Sequence, residues 1–274
     1  MIAFVHINKT AGTNLKYILR RSFGGKHCDA RVWPQQPRSE REGGKRVLTA
    51  LDVRRTMRWV YPGLKSLAGH NITSYSDLHT IEGLKFYTFL REPISRTISH
   101  YLFQKKFDPN IEPFQEWIQK SHYRNVQCVK IAGEENAEKA IDIIKKQYGF
   151  VGLQQSYDES LLLLKKWMND PDFDPRHKSH NVAPKDKKAA SIFDGPAIKK
   201  LLEEANAEDM KLYNYVVNEV YPAQKNAYGD SLQADLEAFE KENKKFNKLK
   251  SNRGKIQRGL YWLFLPLISK GGTF

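Results

Sequence analysis

Cysteine is scarce in this chain of 274 residues, which has only Cys28 and Cys128. Two thiols cannot build a disulfide framework, and their spacing is not that of a metal site, so both read as plain buried or surface thiols. Long apolar runs are missing too. The longest, residues 260–268, is nine residues and contains Pro266, well short of the ~20 needed to span a bilayer. Met1 leads straight into strand-like sequence, so no signal peptide is expected ahead of it. No internal repeat is visible. Acids are also in deficit: 31 Asp and Glu face 45 Lys and Arg, for a net charge of +14. That balance says little about fold but points to an anionic partner.

What is present reads as one α/β domain. Residues 2–7 form a short apolar run suited to a buried parallel strand. Residues 13–23 carry Leu15, Ile18, Leu19 and Phe23 at helical spacing, closed by Gly24-Gly25. Residues 31–45, rich in Pro, Arg, Gly and Gln, read as a loop. Residues 47–51 are the next strand candidate, and residues 85–90 a stronger one, aromatic and β-prone. A helix from Glu92-Pro93 runs to about residue 106, with proline at a tolerated first-turn position. Further helices are expected at 137–147, 157–168, 195–205, 207–220 and 232–248, with a short strand at 150–153. Strands alternating with helices imply a parallel sheet flanked by helices. We expect a single domain over residues 1–235. A basic helical and apolar extension, 236–274, would pack on it or trail it.

The loop between the first strand and the first helix carries Asn8-Lys9-Thr10-Ala11-Gly12-Thr13-Asn14. A helix N-terminus after a strand offers unpaired N–H groups and the positive end of the macrodipole to an anion. Gly12 permits close backbone approach, Thr10 and Thr13 supply hydroxyls, and Lys9 adds a full charge. An ordinary strand–helix turn with a surface lysine is the bland alternative. The order is not G-x-x-x-x-G-K-[ST], because the lysine precedes the glycine. A second segment, Leu90-Arg91-Glu92-Pro93-Ile94-Ser95-Arg96-Thr97-Ile98-Ser99-His100-Tyr101, follows a strand. Arg91 stands at the strand's C-terminal end, where ligands bind in α/β sheets. It offers a bidentate fork, and Ser99, two turns into the helix, offers a hydroxyl.

Together these segments resemble the phosphosulfate loop and the 3′-phosphate signature of the PAPS-dependent carbohydrate sulfotransferases (PAPS is 3′-phosphoadenosine 5′-phosphosulfate). The resemblance is to the group that includes the heparan sulfate 2-O and 6-O enzymes. It extends over about residues 2–217, including 150–162 and 206–215, though Gln155 stands where that family usually has an acid. The resemblance implies a P-loop-NTPase-like sulfotransferase fold with PAPS as co-substrate and no metal. It implies donor contacts from Lys9, Thr10, Ala11, Gly12, Thr13, Asn14, Arg91 and Ser99. The implied partner is a glycan or other hydroxyl-bearing acceptor, not a nucleic acid.

Sulfuryl transfer needs positioning, charge stabilisation at the departing oxygen and a base for the acceptor hydroxyl. Lys9 is assigned to the departing oxygen. Histidine is the first place to seek a base near neutral pH. His70, in Leu67-Ala-Gly-His-Asn-Ile72, is the choice, because its Gly-His pair is similar to where the 2-O enzymes carry their catalytic histidine. Glu82 and Asp52 come next. His6 reads as a packing or loop-orienting residue. His27, His122 and His177 fall in loop-like sequence, His79 follows a loop, and His100 adjoins Ser99.

Arg176-His177-Lys178 and His180 are a candidate lining for an acidic acceptor's path. Residues 241–258 hold eight Lys or Arg against one acid, Glu242. With residues 260–268 they suggest a peripheral membrane contact, or packing of Trp262 and Leu263 on the domain. Arg253-Gly254 could add a contact to the 3′-phosphate. Asn8-Lys9-Thr10 and Asn71-Ile72-Thr73 are N-glycosylation sequons, and a glycan on Asn8 would sit in the donor loop. A cytoplasmic location, with membrane association through the tail, is therefore expected. Two rival functions remain. Residues 47–52 could be a strand ending in a metal-binding Asp52 of a nucleotide-dependent kinase, or the positive charge could serve a non-catalytic polyanion binder.

Overall fold

Strand residues buried on both faces must alternate between two cores, and this sheet does so. In β1 (Ile2–Val5), Ala3 and Val5 pack in one apolar cluster while Phe4 packs in the other. The computed structural model describes residues 1–32, 47–178, 193, 195–247 and 252–269. The expected loop at 31–45 therefore lies almost wholly outside the described residues, as do His180, Lys248 and Lys250.

Five parallel strands form one sheet in the order β2 (His27–Asp29), β3 (Ser66–Gly69), β1, β4 (Lys85–Leu90), β5 (Tyr148–Leu153). The expected α/β fold with a helix-flanked parallel sheet is what the chain adopts. One face is covered by α1 (Gly12–Phe23), α5 (Val126–Ala132), α6 (Ala137–Gln147), α7 (Tyr157–Met168) and α9 (Ala207–Tyr215), whose apolar residues join Phe4, Tyr87 and Phe89. The other face is covered by α2 (Ala50–Trp59) and α12 (Lys255–Ser269), which bring Val53, Tyr261, Leu265 and Ile268 onto Ala3, Val5 and Leu67. A third cluster joins α3 (Pro93–Phe107), α4 (Phe114–Gln119) and α8 (Pro196–Ala205) around Tyr101, Trp117 and Leu202. A π-helical turn at Val216–Val220 leads from α9 into α10 (Tyr221–Tyr228), and α11 is Leu232–Lys245.

Three expectations are corrected. Residues 47–51 are not a strand: Thr49 caps α2 in a full capping box with Asp52, so the helix starts inside the β-branched run. Asp52 is thus buried as a cap, and the strand-ending acid of the kinase reading does not exist. His27 lies in β2 rather than a loop, with its Nδ1 3.0 Å from Ser66 Oγ. Asp52 and Glu82 also leave the list of bases. Asp52 is committed to the cap, and Glu82 precedes β4, at the sheet edge opposite Lys9.

Candidate active site

The strand order defines the site. β1 connects onward to the β2–β3 side, whereas β4 lies on its other flank, so the order reverses between β1 and β4. A crevice outside the C-terminal ends of the strands at such a reversal is the usual ligand position in an open α/β sheet. The loop after β1 and the turn after β4 flank it.

The β1 loop is wound tightly. Lys9 and Ala11 both take left-handed backbone conformations, with φ of 71° and 65°, which side chains other than glycine seldom adopt. The Thr10 hydroxyl, fully buried, donates to Ile7 O at 3.0 Å and fastens the turn. Ala11 then stands at the N-cap of α1 with no side-chain cap and no acid in the first turn, so the helix presents an uncompensated positive end. Asn14 Oδ1 is buried with no hydrogen-bond partner. Thr13 is exposed.

Arg91 leaves the end of β4 and its Nη1 donates to Lys9 O at 3.3 Å, bringing the two expected donor segments together. Burial, and then the Arg91 charge, lower the Lys9 pKa; burial likewise lowers that of Arg91. The adjacent acid, Glu92, is turned the other way and caps α3, accepting from Ile94 N at 2.9 Å and Ser95 N at 2.7 Å. Ser99 sits half-buried on α3 two turns on. The Lys9 ammonium lies 4.1 Å from the centroid of the Phe103 ring on the same helix.

His70 follows β3 directly and is exposed. Its ring stacks on His6 with centroids 4.0 Å apart, and His6 stacks in turn toward Phe4. His6 Nε2 faces Gly12 so closely that a Cβ there would meet it at 2.0 Å. Burial, and next the neighbouring His70, hold the His6 pKa well below the ordinary value of 6.5, so His6 is neutral at pH 7. His70 thus stands one ring from the helix end that carries the loop. A cleft runs beside the pair, lined also by Lys16, Asp29, Arg31 and Asn71. Burial raises the Asp29 pKa, but His27, Lys16 and Arg20 outweigh it and hold the carboxyl well below the usual range.

Residues outside the sequence expectation complete the frame. Gln127 on α5 clasps the Arg91 backbone from both sides, accepting from its N–H at 3.1 Å and donating to its carbonyl at 2.9 Å. Asp209 on α9 accepts from Gln127 N and Cys128 N at the start of α5. Arg96, fully buried, donates to Thr97 Oγ1. Burial lowers its pKa to about 10, and Asp209 offsets part of that. No local motif announces Gln127 or Asp209.

Other expected contacts lie elsewhere. Asp174 and Arg176 are tied to Arg21 and Ser22 at the C-terminal end of α1, the edge of the sheet opposite Lys9, so Arg176 does not line the crevice. His177 lies against Asp158 at 3.4 Å. Arg253 donates to Arg21 O and Ser22 O at that same far edge and does not reach Arg91. Gln155 donates to the Tyr213 hydroxyl.

Residues 1–172 match the model of the sulfotransferase family. The chain belongs to that family. The match covers both crevice segments, His70 and the cleft. No curated protein matches the chain. The sulfotransferase is therefore an enzyme of sulfuryl transfer, a chemistry that implies PAPS as donor and a hydroxyl-bearing acceptor. Among the described residues no helix is long and apolar enough to cross a membrane, and no group of acids, histidines and cysteines is placed to hold a metal.

Proposed function

We propose that this sulfotransferase holds PAPS across the β1–β4 crevice and transfers its sulfuryl group to a hydroxyl, most fittingly one of a glycan, entering by the His70 cleft. In this reading Lys9, Thr10, Ala11, Gly12, Thr13 and Asn14 bind the phosphosulfate end. Arg91 and Ser99 hold the 3′-phosphate. The observation that carries it is the Arg91-to-Lys9 contact: the Arg91 charge adds to burial in lowering the proton affinity of Lys9, beside a crevice that also receives an uncapped helix end. An anion placed there relieves both the repulsion and the unpaired N–H groups. The orphaned Asn14 Oδ1 adds a polar atom that such a ligand can approach through a water or hydroxyl.

PAPS supplies an electrophilic sulfur already bonded to a stable leaving group. His70 takes the proton of the acceptor hydroxyl as that oxygen bonds to sulfur. Lys9 meets the negative charge left on the bridging oxygen as the old S–O bond breaks, aided by the α1 dipole. Neutral His6 backs the His70 ring, stacked on it with centroids 4.0 Å apart, and holds it at the mouth of the cleft. Lys16 and Arg31 give the cleft a basic lining suited to an acidic acceptor.

Titration calorimetry with 3′-phosphoadenosine 5′-phosphate (PAP) and with ADP tests the donor site. Tight binding of the first and weak binding of the second is expected, and equal binding would remove the assignment. Transfer of labelled sulfate from PAPS to a panel of polysaccharides tests the rest. K9A is expected to lose transfer, and full activity in H70A would remove the proposed base while leaving the donor site standing.

A further inference from the structure

We propose that the outer face of α12, together with the basic residues beside it on α2, docks on the surface of an anionic lipid bilayer. α12 is apolar on two opposite sides. Tyr261, Leu265 and Ile268 are buried on the domain. Ile256, Leu260, Leu263 and Leu267 are 75%, 40%, 71% and 41% exposed. Their spacing of four, three and four residues puts them within roughly 60° of one another on a helix of about 3.6 residues per turn, opposite the buried set. A soluble surface has no need of such a stripe.

The helix is fixed with the stripe outward. The Tyr261 hydroxyl both accepts from Arg31 N and donates to Arg31 O, each at 2.9 Å. Arg55 of α2 reaches Ile268 O at 3.5 Å.

The charges around the stripe choose the occupant. Exposed Lys255 opens α12, whose fifteen residues include no acid. α2 adds exposed Arg54 and Arg58, and its one acid, Asp52, is buried in the helix cap. Arg31 lies 5.1 Å from the centroid of the Trp262 ring, itself 49% exposed at the side of the stripe. An apolar stripe with cationic flanks and a marginal tryptophan is the pattern of a helix lying in the headgroup region of a membrane. At about 1.5 Å per residue α12 is roughly 22 Å long, shorter than the ~30 Å hydrocarbon core, so it rests on the bilayer rather than crossing it. A second copy of the chain is a poorer occupant, because a two-fold pairing would set the same cationic flanks against each other.

The test is co-sedimentation of the full chain with vesicles of phosphatidylcholine alone and of phosphatidylcholine with an equal part of phosphatidylglycerol. Binding to the anionic vesicles alone is expected. The double variant L260E/L263E is expected to lower the partition about tenfold or more. Both positions are exposed, so its melting curve by circular dichroism should match the wild type. A second variant, R58E/K255E, is expected to weaken binding and flatten its dependence on salt. The proposal is overturned if the wild type stays in the supernatant with both vesicles, or if both variants bind as the wild type does. It is equally overturned if sedimentation velocity shows a wild-type dimer that L260E/L263E splits.

Discussion

Replacing Gly12 by alanine puts a methyl group where no room exists. The new Cβ would stand 2.0 Å from His6 Nε2 and 2.1 Å from its Cδ2. The imidazole cannot swing aside freely, since it is stacked between Phe4 and His70, with centroids 5.4 Å and 4.0 Å away. Either the ring leaves its stack or the start of α1 shifts away from the crevice. Overpacking of this kind costs about 1–3 kcal/mol, and the same range in PAP affinity is about 5- to 150-fold. Urea unfolding and PAP calorimetry on G12A, H6A and the double variant measure it. Removing the imidazole makes the room that the methyl needs. The double variant should therefore be more stable than the sum of the singles by about 1 kcal/mol or more. Wild-type stability and affinity in G12A, or strict additivity in the cycle, would refute the reasoning.

R91A is expected to weaken PAP by about 10- to 150-fold, the range for a lost charge-assisted hydrogen bond, and to change ADP binding little; R91K should restore only part, as calorimetry will show. His6 should give a pH signature. Its folded pKa is depressed, so the unfolded chain takes up a proton below 6.5 that the folded chain refuses. Stability is then fully present above 6.5 and falls on acidification, by at most about 1.4 kcal/mol per pH unit. Urea midpoints between pH 7 and 5 should flatten in H6N relative to the wild type. D209A strands the Arg96 charge and uncaps α5, and should cost about 3–5 kcal/mol in urea unfolding.

Local signals carried much of the fold. The helices at Ala137–Gln147 and Tyr157–Met168 and the strand at Lys85–Leu90 follow directly from apolar period and β-prone residues. β2 and β3 gave no such signal. His-Cys-Asp is polar, and Ser-Leu-Ala-Gly is small because the sheet is crowded there: a Cβ on Gly69 would meet Ala30 O at 2.4 Å. Val47-Leu48-Thr49 has strand composition, yet the Thr49–Asp52 cap overrides it. At the site, the Lys9 loop and Arg91 were legible because each is one contiguous stretch. Gln127, Asp209 and Asp29 were not, because only the fold carries them there from other parts of the chain.

The clasp of Gln127 on Arg91 has a consequence for where the working unit ends. Gln127 is steadied by Asp209, and Thr97 donates to Asn206 Oδ1 at 2.8 Å, so the arginine's footing runs some forty positions past the matched segment 1–172. A fragment cut at that family boundary would keep every recognisable signature residue and still bury Arg96 with no counter-charge. The minimal catalytic piece of this chain must reach through α9, however complete the shorter piece looks on paper.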